Sequence, residues 1–341
     1  MKTGIRPIFA VGTLIALAIA CGSQPEPTPT PWPTPDNSAM SRIAFATNRD
    51  GNWEIYVMNS DGSNPHNITN NPRTDSHPSW SPDGSKIAFQ SERDGNWEIY
   101  VMNSDGSEQV RLTDDRGVDQ SPVWSPDGTK IAFVSDRGGR HSVWTMNSER
   151  GQVSEDGEEE DPEYGLELVD VTGSYVNSRW PAWGPRSRTL AYETTQDVRI
   201  VRIDDVQLNE KIVDKNNFFD GFFVGWLDWS PDGNKLAMIS NHQERTEFTR
   251  LLYTSQLDGF RFRRVYDNPS GLPYERPTWA PDSNMIVYSV KDAEDGDWDI
   301  QVVDFTTRET WRLTNDSGAS ADDTLPDWEP RGFVPEFRAF Q

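Results

Sequence analysis

Residues Pro78–Thr113 read PSWSPDGSKIAFQSERDGNWEIYVMNSDGSEQVRLT, and this stretch decides the fold. Within it, RDGNWEIYVMNSDGS at Arg93–Ser107 repeats Arg49–Ser63 letter for letter, forty-four positions on. Working outward, each unit holds an IAF-like strand, a loop, an EIYVMN-like strand, a tight turn, an RLT-like strand and a closing PxW. Alternation at Ile99 and Val101, and at Ile131 and Phe133, has the period of two of a strand, so one face of each strand is expected to be apolar. In Ser81-Pro82-Asp83-Gly84 the proline presets the first central turn residue, the aspartate can bond neighbouring backbone, and the glycine permits a left-handed exit. Ser125–Gly128 and Ser230–Gly233 repeat that turn, and Gly184–Ser187, Ala280–Ser283 and Glu329–Gly332 are degraded copies. The closing tryptophans are Trp80, Trp124, Trp183, Trp229, Trp279 and Trp328, spaced by 44, 59, 46, 50 and 49 residues. Four short strands per unit of that length make a propeller blade, so the fold class is all-β.

The repeat resembles the WD40-like PD40 repeat of TolB-type β-propellers, and the likeness recurs six times between Ser41 and Gly332. It covers only the propeller, because a Pro/Thr spacer stands where the additional N-terminal α/β domain of TolB would be. By analogy with WD40 blades, PxW is the innermost strand, IAF the second, EIYVMN the third and RLT the outermost. The folded part then opens on a second strand (Arg42–Ala46) and closes on an innermost one (Leu325–Trp328). The resemblance thus implies six four-stranded blades, with the C-terminal strand completing the first as a clasp. Such a clasp removes the exposed edges of an open array.

The domain reading is 1–20 signal peptide, 21–40 lipidated cysteine and linker, 41–332 propeller and 333–341 tail. Lys2 and Arg6 precede the apolar run PIFAVGTLIALAIA and the single cysteine, Cys21. A basic start followed by a short apolar segment reads as a secretory signal. AIAC resembles the lipobox of bacterial lipoproteins, with Ala18 in place of the usual leucine, which implies a lipid on Cys21. The following GSQPEPTPTPWPTPDNSAM favours polyproline II and forms a solvated spacer. Together they place the chain, as a lipid-anchored envelope protein, outside the cytoplasmic membrane, in the periplasm or at the cell surface. Contact with the membrane is expected through the anchor only. The formal charge of −23 argues against nucleic acid, whose phosphates would be repelled.

On the propeller, the SPDG and NSDGS turns share one face. The other face carries the loops that lead into the inner strands and the RDGNW loops, and it is expected to hold the site. Three positions before each blade proline or its equivalent stand Asp75, Asp119, Ser178, Val224, Tyr274 and Asp323, with His77, Gln120, Arg179, Glu275 and Arg276 beside them. This set is read as a channel-mouth pocket for a cationic group or a peptide segment; equally, the acids can bond amides of the loops between blades. Trp53, Trp97 and Trp298 recur at the start of the third strand, either as rim aromatics for sugars or a partner, or as wedges between blades. The aspartates of RDGNWE and of Asp292–Asp299 lack the spacing of a calcium loop. The acidic insertion Ser154–Glu163 reads as a solvated loop of the third blade.

Neither GxSxG nor HExxH is present, nor a phosphate-cradling glycine loop. The functional expectation is a non-catalytic, monomeric binding propeller for protein or peptide partners of the envelope, with no cofactor and no metal. The rival is a carbohydrate-active protein: either a glycan binder using the rim tryptophans, or a metal-dependent polysaccharide lyase using some of His66, His77, His141 and His242.

Overall fold

A computed structural model describes residues 40–148, 169–172, 177–195, 197–204, 206, 209–214, 224–241, 251–256, 262–265, 273–291, 296–314 and 321–330. The signal, Cys21, the spacer, His242, the acidic insertion and the tail lie outside the described residues. Within them, twenty-four strands form six antiparallel four-stranded sheets. Blade one takes its innermost strand from the C-terminus: Asp323–Trp328 pairs with Arg42–Thr47, with Ile43 opposite Trp328 and Thr47 opposite Asp323. Blades two to six follow in chain order, with inner strands Asp75–Trp80, Asp119–Trp124, Ser178–Trp183, Val224–Trp229 and Tyr274–Trp279. These six neighbour one another in sequence and back to the first, so the ring is closed.

The clasp is held beyond its ladder. Trp328 Nε1 donates to Ser41 Oγ at 2.9 Å, and Glu329 Oε2 accepts from both the Arg42 amide and Arg42 Nε at 3.0 Å. Trp328 is only 2% exposed.

The expectation of one apolar face per strand is corrected for the second strands: both of their faces are buried, because each blade is sandwiched between two others. In the IAF motif the large side chains face the preceding blade and the small one faces the next. Ile87 and Phe89 pack with Ala44, Ile55 and Val57 of blade one, while Ala88 receives Ile131 and Phe133 of blade three. The same arrangement joins Ala132 of blade three to Leu190 and Tyr192 of blade four. Each buried Ile or Phe is worth about 1.5–3 kcal/mol, and no blade can collect that alone. The duplicated motif is therefore a specification for stacking.

The SPDG turns form as expected. Gly84, Gly128 and Gly233 adopt φ of +66°, +74° and +73°, and in the degraded copies Ser187 and Ser283 hold 53° and 58°. Neighbouring turns bond each other around the face, Asp127 N–H to Ser187 Oγ at 2.9 Å and Asp232 N–H to Ser283 Oγ at 3.1 Å.

Candidate functional site: a funnel at the SPDG face

The innermost strands are not regular. In each, the register slips between the second and fifth residues, and the third residue takes a left-handed φ. These residues are His77 (54°), Ser121 (55°), Trp180 (47°), Trp226 (48°), Arg276 (37°) and Leu325 (56°). None is glycine, so each costs on the order of 1–2 kcal/mol in backbone strain. A bulge repeated in all six blades re-aims side chains toward the ring axis.

What the bulges line is a funnel of about 1320 Å³, counted out to its open mouth. Its floor holds His77, Ser121, Trp180, Trp226 and Arg276; its mouth is ringed by Pro82, Pro126, Pro185, Pro231, Pro281 and Pro330 of the SPDG-type turns. The six PxW tryptophans stand between floor and mouth. This cavity therefore extends to the SPDG face, opposite to the face expected from the sequence.

The funnel has two unlike sides. Blades three to five present aromatic surface: Trp124, Trp180, Trp226 and Trp229 are only half-buried, and the Trp180 and Trp226 rings meet with centroids 4.9 Å apart. Blades five, six, one and two present Asp228, Arg276, Asp327 and His77. Arg276 reaches past blade one, its Nη2 donating to the Pro78 carbonyl of blade two at 2.9 Å. That is the single hydrogen bond of its side chain among the described residues, and the carboxyls of Asp327 and Asp228 lie near enough to act on its charge. Asp327 Oδ2 accepts the Trp80 amide at 2.7 Å, and Asp228 Oδ2 accepts the Trp279 amide at 2.8 Å, each tying one inner strand to the next.

Enclosure sets the charge states. Desolvation pushes the Asp228 carboxyl up to about 8 and that of Asp327 up to about 6, the neighbouring Arg276 opposing both shifts. Desolvation, aided by the Arg276 cation, holds the His77 imidazole down to about 3. Burial thus favours the protonated form of Asp228 and the neutral imidazole of His77 beside the Arg276 guanidinium.

The expected acidic ring at the channel mouth is corrected. Asp75, Asp119 and Asp323 have no exposed surface, and each is covered by an arginine of its own blade. Arg93 Nη2 lies 2.9 Å from Asp75 Oδ2, Arg137 Nη2 lies 2.7 Å from Asp119 Oδ2, and Arg49 Nη2 meets both Asp323 oxygens at 2.8 Å. The same guanidinium stacks on two aromatics; for Arg93 these are Phe89 at 5.4 Å and Tyr100 at 4.5 Å. These acids are latches that join three strands of one blade. Tyr274 fills the equivalent place in blade six and packs edge-on against Tyr288 with centroids 5.1 Å apart. Gln120 and Glu275 are half-buried beside the strand starts, and Arg179 is exposed. Of the expected set, the structure brings only His77 and Arg276 into the funnel.

Trp53, Trp97 and Trp298 are half-buried. The Trp53 and Trp97 carbonyls accept the amides of Asp75 and Asp119 of the following blade, each at 2.9 Å, and the Trp298 amide donates to Asp322 at 3.1 Å. All three sit at seams between blades. His66 lies on the outer strand of blade one, apart from His77 in the lumen, and no group of three or more metal-ligating side chains is assembled among the described residues.

Trp180, Trp226, Asp228 and Asp327 were missed by sequence reasoning. A usable signal existed: the acid immediately before a blade tryptophan, in LDW and PDW, breaks an otherwise small or apolar position filled by Ser79, Val123, Ala182 and Thr278.

Comparison with known proteins agrees with the architecture. Residues 20–109 and 92–164 match the TolB beta propeller domain family, PD40. Over 44 residues the chain is 50% identical to the Tol-Pal system protein TolB of Desulfosudis oleivorans, an alignment covering 13% of this chain and 10% of that protein. Among solved structures, TolB from Acinetobacter baumannii superposes with a TM-score of 0.66 at 16% identity, covering 85% of this chain and 67% of that one. A putative TolB from Agrobacterium tumefaciens gives 0.60 at 16% identity, covering 84% and 98%. The chain is a closed β-propeller of six four-stranded blades, similar in fold to TolB, and its residues 20–164 match the repeat of the TolB propeller family.

Proposed function

We propose that this protein is a non-catalytic binding propeller of the bacterial envelope, held by a lipid on Cys21, and that it receives a segment of a partner protein in the funnel. The observation that carries the reading is the two-sided lumen: half-exposed tryptophans on one side, and on the other a guanidinium whose side chain makes one hydrogen bond among the described residues. An enclosed, largely apolar cavity with a few convergent polar groups is the usual form of a binding site. The likeness to the Tol-Pal system protein TolB supports an envelope setting and a protein partner. The spacer lets the ring stand off the membrane, and the acidic surface keeps it clear of anionic headgroups.

The test is capture from native envelopes by the full lipidated chain, with partners identified by mass. A folded chain carrying Trp226→Leu and Arg276→Gln should lose them. Equal recovery by wild type and variant would remove the funnel from the account. Substituting Asp75, Asp119 and Asp323 would report on blade integrity instead, because those acids are latches.

A further inference from the structure

Building on the reading of the funnel as a peptide site, we infer that its ligand is a proline-rich segment in polyproline II conformation, borne by a partner protein. Three observations converge on this class.

The first is the balance of hydrogen-bonding groups. Several backbone groups of the inner strands that wall the lumen are held within the ring: Asp327 takes the Trp80 amide, Asp228 the Trp279 amide and Arg276 the Pro78 carbonyl. The polar partners His77, Asp228, Arg276 and Asp327 gather on one side, and the aromatic side formed by blades three to five offers an entering chain few. Against that aromatic side an ordinary peptide would bury amide N–H groups with no acceptor, at about 1–3 kcal/mol each. A proline-rich segment has few N–H groups to lose. It keeps its carbonyls, and the Arg276 fork supplies donors for them.

The second is the lining. Polyproline II segments dock in aromatic grooves, where flat rings receive pyrrolidines, and their preformed helix lowers the entropy lost on binding. Trp124, Trp180, Trp226 and Trp229 form such a surface on one side of the funnel, below a mouth ringed by prolines.

The third is length. From the bulge residue to the turn proline each wall runs five residue steps, about 17 Å of strand. At about 3.1 Å per residue that holds five or six residues of polyproline II, enough for two turns.

The probe is blocked, uncharged decaproline, titrated into the full chain in detergent and followed by tryptophan fluorescence and calorimetry, with a blocked Gly-Ser decamer as control. Decaproline should bind and the control should not. Trp180→Ala should weaken binding roughly tenfold, the scale of one lost aromatic contact plus its buried area. Ser121→Trp should block the lumen. It places at one bulge what Trp180 and Trp226 already occupy at two others, so the backbone accepts it. Because the chain's own proline-rich spacer could compete, the titration is repeated with the prolines of residues 25–37 replaced by serine. Tighter binding there identifies the spacer as a competitor for the same site and supports the assignment.

Failure of decaproline on that spacer-altered chain overturns the inference, as does binding that ignores both Trp180→Ala and Ser121→Trp. If a captured partner binds through a segment without proline and is lost in Ser121→Trp, the funnel stands as a peptide site and the polyproline class alone falls.

Discussion

Replacing Arg93 by methionine tests the latch that builds each early blade. Arg93 covers the fully buried Asp75, donates to Ser91 Oγ at 2.7 Å and Gln109 Oε1 at 2.8 Å, and stacks on Phe89 and Tyr100. Methionine keeps an apolar stem over the two rings but strips the counter-charge from Asp75. Leaving one member of a buried pair alone costs about 3–5 kcal/mol. The carboxylate can escape part of this by taking a proton, since burial already raises its pKa in the native protein. A carboxyl whose folded pKa is raised contributes its stability below the ordinary carboxylate range and loses it as pH climbs through the folded value. The variant should therefore be destabilised by about 3 kcal/mol at pH 8 and clearly less at pH 5. Asp75→Asn in the same background should recover about 1–2 kcal/mol at pH 8 and little at pH 5. Urea unfolding followed by tryptophan fluorescence at the two pH values gives the answer. An equal loss at both, with no recovery by the asparagine, would refute the latch.

Trp328→Ala removes the buried aromatic side chain of the clasp and its bond to Ser41; a loss of about 3–5 kcal/mol is expected from urea denaturation. Asp228→Asn keeps an acceptor for the Trp279 amide and removes the ionisation. Because burial raises the folded pKa of Asp228 to about 8, wild type keeps that stability only below the ordinary carboxylate range and loses it as pH rises to about 8, so the variant should gain on wild type progressively from about pH 4 to pH 8 and hold the gain above. His77, held down to about 3, should show no imidazole titration by NMR between pH 5 and 8; a midpoint near 6.5 would mean that the floor is open to water.

Blade number, strand order and the clasp were legible in the chain, because the repeat phase and six tryptophans, set against the strand order of the WD40 blades they resemble, fix them without any knowledge of side-chain direction. The site was not legible, for one physical reason. A period of two carries a strand's facing pattern only while the strand is regular, and every inner strand bulges at its third residue. The bulge has no glycine to announce it: histidine, serine, two tryptophans, arginine and leucine all occupy it. It moves His77 and Arg276 onto the floor beside Trp180 and Trp226, and leaves Asp75 and Asp119 inside their blades. The arginines that cover those acids sit in the RDG loops eighteen residues downstream, a pairing visible only once second and third strands are folded together.

The account stands or falls on where a partner touches the ring. A photo-crosslinking residue placed at Ser121, on the funnel floor, should capture an envelope protein in living cells, and one at Val110, exposed on an outer strand, should not. Capture from Val110 with none from Ser121, in chains that fold equally well, would contradict it.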